Sequence, residues 1–210
     1  MTNKKNIIFD LGRILVGLDS DACVKAFQQV GCGGVAHYVQ EHKVADLFLD
    51  QEVGRITTQQ FCDEARRLCQ CQVPDKDIIW AWNQVLTGIP DEKKQALLAL
   101  KRQGHRLFLL SNTNYIHWYK CRDDYFPYTD AEGHTYTATD YFERIFLSCS
   151  MHKAKPHPDI FRQALDEAGI KAADTLFIDD REDNCQGAQA IGISTLHDPT
   201  GNAWLKEIVK

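Results

Sequence analysis

The chain has 210 residues, 44% of them hydrophobic and 25% charged, with a formal net charge of −5. Those proportions belong to a globular chain, long enough for one large domain or for a core with a smaller module. The acidic balance argues against a nucleic-acid partner, whose electrostatic footprint is basic. No apolar run approaches the ~20 residues of a membrane span. Met1 to Lys5 is basic, but only Asn6 to Phe9 separates it from Asp10, whereas an export signal carries an apolar core of about 7–15 residues. The expectation is a cytoplasmic protein, monomer or homodimer, with no nucleic-acid or membrane partner. None of the eight cysteines forms a CxxC pair, and Cys69-Gln70-Cys71 stands alone. Zinc sites draw on two close ligand pairs, so the thiols are read as reduced, scattered and in part buried.

Taken in chain order, apolar runs that end in polar residues mark strands. Ile7–Phe9 ends at Asp10, Arg106–Leu110 at Ser111-Asn112, Arg144–Leu147 at Ser148 and Thr175–Ile178 at Asp179-Asp180; Ile193–Leu196 is a weaker fifth. Continuous apolar runs suit strands buried on both faces. Helical patterns lie between them: Glu92–Gln103 closing at Gly104, Asp159–Ala168 closing at Gly169, and Asn184–Ala190. The alternation predicts an α/β fold, a doubly wound, parallel, Rossmann-like sheet. From Asp19 to about Leu86 the rhythm breaks into helix-like stretches at Ala22–Val30, His37–Leu49, Thr58–Cys69 and Asp77–Val85. This is an inserted helical unit, which leaves residues 1–18 and 87–210 as the α/β core. Tyr115–Tyr141 is crowded with aromatic residues and reads as a helix start followed by a loop packed by its own rings, ahead of substrate contact.

Parallel strands present their C-terminal ends along one edge, where open α/β sheets bind ligands. Asp10, Ser111-Asn112, Asp179-Asp180 and the Lys155 region converge there. Each alone is weak evidence, since a strand-end Asp is commonly a helix N-cap. Together they form a coherent chemistry. Asp10 and Asp180 can hold Mg²⁺, a hard cation that takes oxygen ligands and bridges to phosphate, while Asp10 attacks phosphorus with its other oxygen. Ser111 and the amide of Asn112 can donate to phosphoryl oxygens, and Lys155 can stabilise the charge of the transition state. Asp179 and Asn184 stand behind them.

These motifs resemble the haloacid dehalogenase-like hydrolase superfamily from Ile7 to Leu196. The first is Asp10-Leu11-Gly12-Arg13-Ile14, the second Ser111 in Leu110-Ser111-Asn112-Thr113-Asn114, the third Lys155 before Pro156, and the fourth Asp179-Asp180 with Asn184. The second and fourth also match the sugar-phosphate phosphatase branch that includes bacterial α-D-glucose-1-phosphate phosphatase; at the first, Arg13 stands where that branch commonly has Asn. The resemblance implies a helical cap at residues 19–86, a specificity turn at Gly54-Arg55-Ile56-Thr57, and Asp10, the Gly12 carbonyl and Asp180 as metal ligands.

Typical phosphatases of the superfamily have a second Asp, their general acid and base, where this chain has Gly12. Losing a positioned acid costs ~10²–10⁴-fold in rate, and least where the leaving group is already acidic. An anomeric phosphate, such as a hexose 1-phosphate, meets that condition. His152, His157, Asp19 and Arg13 are near enough in sequence to stand in as the acid, although structural roles are expected for each. Arg13 at the mouth and Arg55 from the turn are candidate substrate contacts. The expected function is thus a Mg²⁺-dependent phosphatase of a small phosphorylated metabolite. A metal-free 2-haloacid dehalogenase, whose characteristic Tyr-Gly is absent, and a non-catalytic phosphate-binding homologue are the alternatives.

Overall fold

A computed structural model describes residues 4–35 and 47–209. Five parallel strands form its sheet: β1 (Asn6–Phe9), β4 (Arg106–Ser111), β7 (Arg144–Leu147), β8 (Thr175–Asp179) and β9 (Ser194–His197), in the order β7-β4-β1-β8-β9. Ile8 stands beside Phe108 on one side and Phe177 on the other. Alternation along each strand sends side chains to both faces. Ile8, Phe108, Leu110 and Phe177 pack with Ile160, Phe161, Ala164 and Leu165 of helix α9 (Pro158–Ala168). Ile7, Phe9, Leu107, Leu109 and Ile178 pack on the opposite face with Ala96, Leu97 and Leu100 of α5 (Asp91–Arg102) and with Trp204. Helices therefore cover both faces, as the apolar runs require.

The chain leaves the core through β2 (Gly17–Leu18) and returns through β3 (Leu86–Gly88), which pair antiparallel, Gly17 opposite Gly88. Both are too short to show in an apolar pattern. Between them the described elements are helices: α1 (Ser20–Gln29), α2 (Leu47–Glu52), α3 (Thr58–Cys69) and α4 (Asp75–Asn83). The expected helix at His37–Leu49 lies outside the described residues except for its last three. α3 opens on a capping box, with the Thr57 hydroxyl accepting the Gln60 N–H and the Gln60 side chain accepting that of Thr57. Phe27, Phe61 and Trp82 join these helices to the same apolar cluster that holds Ile7 and Phe9.

The aromatic segment is more ordered than a loop. It contains α6 (Tyr115–Lys120), a wide turn over Cys121–Tyr125, and a hairpin of β5 (Tyr128–Thr129) with β6 (Thr135–Tyr136), closed by α7 (Ala138–Tyr141). Its rings do pack on one another: Trp118 on Phe126, Phe126 on Tyr141, and Tyr128 stacked on Tyr136 at 6.3 Å. All eight cysteines are free thiols. They are less scattered than expected, because Cys32 and Cys71 bring their sulfurs to 3.7 Å within the helical segment.

Candidate active site

β1, β4 and β8 deliver their last residues to one edge. The Asp10 N–H continues the ladder onto the Ile178 carbonyl at 2.9 Å, which fixes the aspartate's direction before any side chain acts. Lys155 reaches in from the loop between α8 (Ser148–Met151) and α9. Its ammonium lies 2.6 Å from Asp10 Oδ1, 2.7 Å from Asp179 Oδ2 and 3.0 Å from the Leu110 carbonyl. An ammonium has three protons, and all three are engaged, so Lys155 works here by its charge. The loop is held by Asn112, whose side-chain oxygen accepts the Lys155 N–H and whose side-chain nitrogen donates to the Lys155 carbonyl, both at 2.9 Å. The Asn112 side chain is therefore committed to the protein, and its backbone N–H is the amide left for a phosphate. The Ser111 hydroxyl donates to the Asn112 carbonyl at 3.4 Å, a long bond that a better acceptor can replace.

Asp179 is fully enclosed. Besides Lys155 it takes the Arg181 N–H at 2.8 Å and the Asn184 side-chain amide at 3.0 and 3.1 Å. Asn184 stands in α10 (Glu182–Gln189). Every lone-pair direction of Asp179 is thereby in use, one of them on Lys155. Asp180 is half-buried, with Arg13 Nε 3.6 Å from its Oδ2. Carboxylate oxygens of Asp10, Asp179 and Asp180 all lie within 4.8 Å of one another. Burial, opposed by Lys155 and reinforced by Asp179 and Asp180, pushes Asp10 up to about 7. Asp180 is raised too, by burial and then by Asp179. Crowded carboxylates held above their ordinary range are relieved by a cation. Carboxylate oxygens such as those of Asp10 and Asp180 are hard donors of the kind Mg²⁺ prefers. The Gly12 carbonyl already accepts the Ile14 N–H at 2.6 Å and has its second lone pair to offer.

Above this edge opens a cavity of about 750 Å³, with Asp10, Gly12, Ser111, Lys155 and Asp180 on the sheet side and Glu52, Trp82 and His117 on the helical side. Those last three were not singled out from the sequence. They come from α2, α4 and α6, whose facing is set by tertiary packing. The His117 ring lies tilted against that of Trp82, centroids 4.5 Å apart, and meets the Trp82 carbonyl at 3.2 Å; burial pushes its imidazole down to about 4.

Arg13 lines the cavity, in a left-handed backbone conformation. Arg55, expected to reach the substrate from the turn, does not line it: its guanidinium is exposed and pairs with Asp50 at 2.8 Å. Gly54, just before it, takes the turn with a positive φ, and an added Cβ there would meet His152 Nδ1 at 3.1 Å. The other candidate acids have structural partners. Asp19 caps α1, His157 caps α9, and His152 contacts the Val53 carbonyl at 3.1 Å.

Comparison with known proteins agrees with this arrangement. The family described as haloacid dehalogenase-like hydrolase matches residues 5–192. The chain is 26% identical to a D-ribitol-5-phosphate phosphatase of Bacteroides thetaiotaomicron over 97% of its own length and 96% of that protein's. Its structure superposes with a TM-score of 0.88 on a HAD family enzyme of Bacteroides thetaiotaomicron solved with magnesium and inorganic phosphate, at 40% identity, covering 96% of this chain and 98% of that one. A predicted HAD-like family hydrolase from Porphyromonas gingivalis follows at 31% identity and a TM-score of 0.85, covering 99% and 97%. The chain belongs to the haloacid dehalogenase-like hydrolases.

Proposed function

We propose that this hydrolase is a Mg²⁺-dependent phosphatase of small phosphorylated metabolites, sugar and sugar-alcohol phosphates foremost, working through an aspartyl-phosphate on Asp10. One observation carries the reading: the Lys155 ammonium is bonded to Asp10 and Asp179 together, while Asp180, faced by Arg13 at 3.6 Å, brings an oxygen within 4.8 Å of both. Asp10 is thereby aimed, its charge partly offset, and a second carboxylate is left for a cation. A metal-free dehalogenase has no use for that second group.

Asp10 attacks phosphorus, the bond to the ester oxygen breaks, and the leaving oxygen takes a proton. Water then attacks the aspartyl-phosphate, and phosphate departs with Asp10 restored. The Ser111 hydroxyl and the Asn112 backbone N–H hold phosphoryl oxygens, and Lys155 offsets the charge that builds on them. Mg²⁺ on Asp10, Asp180 and the Gly12 carbonyl supplies further charge neutralisation when bound, with Asp179 and Asn184 behind it. Residues 19–86 form a cap over the mouth, with Arg13 at its rim; residues 1–18 and 87–210 form the core.

The D-ribitol-5-phosphate phosphatase relative supports the polyol class. Gly12 offers no carboxylic acid, so a hexose 1-phosphate, with its more acidic anomeric hydroxyl, asks least of the residues on the sheet edge. The test is phosphate release from hexose 1-phosphates, ribitol 5-phosphate, nucleotides and glycerol phosphate, alongside halide release from 2-haloacids, each with and without Mg²⁺. Mg²⁺-dependent release from the sugar esters is expected. Halide release without metal, or no phosphate release from any ester, overturns the reading.

A further inference from the structure

We propose that Glu52 is the general acid and base of this site, the group that takes over where Gly12 has no side chain. The inference rests on the phosphatase reading above and adds to it the residue that serves the leaving group.

The first observation is placement. Attack by Asp10 on phosphorus is in line, so the ester oxygen departs on the side away from the sheet edge. There the cavity wall is made by the helical segment, and Glu52, the last residue of α2, is the carboxylate on it. Other charged residues around the cavity are Asp10, Arg13, Lys155, Asp180 and Arg181. Asp10 attacks, Lys155 is saturated, Asp180 belongs with the cation, and the two guanidiniums stay protonated throughout.

The second observation is anchorage. A catalytic acid has to be held still, and the backbone that leads away from this side chain is tied to the core at two successive carbonyls. Ser148 Oγ accepts the Thr113 N–H at 2.9 Å and donates to the Glu52 carbonyl at 2.5 Å. His152 contacts the next carbonyl, that of Val53, at 3.1 Å. Thr113 lies two residues beyond Ser111, so one hydroxyl links the phosphate-binding strand end to the backbone of Glu52.

The third is environment. Burial raises the Glu52 carboxyl above its ordinary range, with Arg181 and Lys155 opposing, the direction an acid needs for work near neutrality. In the first step the protonated carboxyl gives its proton to the departing ester oxygen as the P–O bond breaks and the Asp10–phosphorus bond forms. In the second, the Glu52 carboxylate takes a proton from the water that attacks the aspartyl-phosphate, and both residues return to their starting states. This acid frees the enzyme from needing an anomeric leaving group and brings an alkyl ester such as ribitol 5-phosphate within reach.

The test compares wild-type protein and Glu52→Gln with Mg²⁺ on ribitol 5-phosphate and on 4-nitrophenyl phosphate, whose phenolate leaves without a proton. For ribitol 5-phosphate, kcat/KM should fall ~10²–10⁴-fold, the usual contribution of a positioned acid. For 4-nitrophenyl phosphate, kcat/KM should barely move, while kcat falls and one equivalent of nitrophenolate appears in a burst, because the aspartyl-phosphate now waits for its base. That full burst also shows the variant to be folded. An equal loss of kcat/KM on both esters, or no loss on either, overturns the proposal while leaving the phosphatase reading intact. Wild-type protein inactive on every phosphate ester removes the phosphatase reading itself.

Discussion

Asn112 closes a ring of two 2.9 Å hydrogen bonds on the peptide of Lys155, accepting from its N–H and donating to its carbonyl. A side chain from one strand end thus holds the loop that carries the site's ammonium. The same ring removes the Asn112 side chain from the phosphate. Asn112→Asp keeps the acceptor but sets a carboxylate oxygen against the Lys155 carbonyl. Losing a hydrogen bond and leaving its partner unpaired costs about 1–3 kcal/mol. If that cost falls on the transition state, kcat/KM drops roughly ten- to a hundredfold with KM little changed. Steady-state kinetics of Asn112→Asp and Asn112→Ala check this, and the Asp variant should be the worse.

Lys155 is the counter-charge of two enclosed carboxylates. Lys155→Met should abolish turnover and, without divalent cation, lower the unfolding free energy by roughly 3–5 kcal/mol, the usual cost of breaking a buried ion pair. Added Mg²⁺ should recover part of that loss, because a cation at Asp10 and Asp180 restores positive charge nearby. Urea unfolding with and without Mg²⁺ measures both effects.

Asp10→Asn separates catalysis from binding. Turnover should fall by at least ~10³-fold once the nucleophile is gone, while inorganic phosphate still binds through Ser111 and Lys155. Isothermal titration of the variant with phosphate provides the check. Full turnover in Asp10→Asn would mean that another group attacks phosphorus.

His117 makes the site sensitive to acid. Its folded-state value of about 4 lies below the ordinary 6.5. The unfolded chain therefore takes up a proton between those values while the folded chain does not, and stability falls as pH drops from 6.5 towards 4. The loss attributable to this one group reaches up to about 3 kcal/mol. His117→Gln should flatten that stretch of the stability–pH curve and leave it unchanged above pH 7, as urea midpoints across the range will show.

The strand ends were legible because the physics that selects them is local. An apolar run buried on both faces stops where a polar residue appears, and in Phe9-Asp10, Leu110-Ser111 and Ile178-Asp179 that step falls at the sheet edge. What decided the rest is long-range. The sequence places Arg55 in a turn beneath the helical segment, and only the fold shows the chain swinging it towards Asp50. Glu52 sits three residues earlier with nothing in its spacing to mark it, and it faces the cavity because Ser148 and His152 hold its backbone. Trp82 and His117, from separate helices, meet only in three dimensions.

Gly54 carries that anchorage further. Its φ is +67°, and an added Cβ would stand 2.1 Å from the Cys149 carbonyl oxygen. Gly54→Ala should push the turn off α8, raise KM more than it lowers kcat, and destabilise the fold by more than the ~1 kcal/mol expected of backbone strain alone. Kinetics and a thermal melt measure the two consequences.

The pairing of β2 with β3 sets the chain's exit from the core beside its return, Gly17 opposite Gly88, and the Asp19 N–H still bonds the Val85 carbonyl at 2.8 Å one step further out. Whatever lies between residues 19 and 85 is threaded through a single doorway whose frame belongs to the core. Asp10, Ser111, Lys155 and Asp179 all lie on the core side of that doorway. The doorway is thus the place to graft a different helical segment onto the same nucleophile, and the graft has to bring an acid of its own to stand where Glu52 stands.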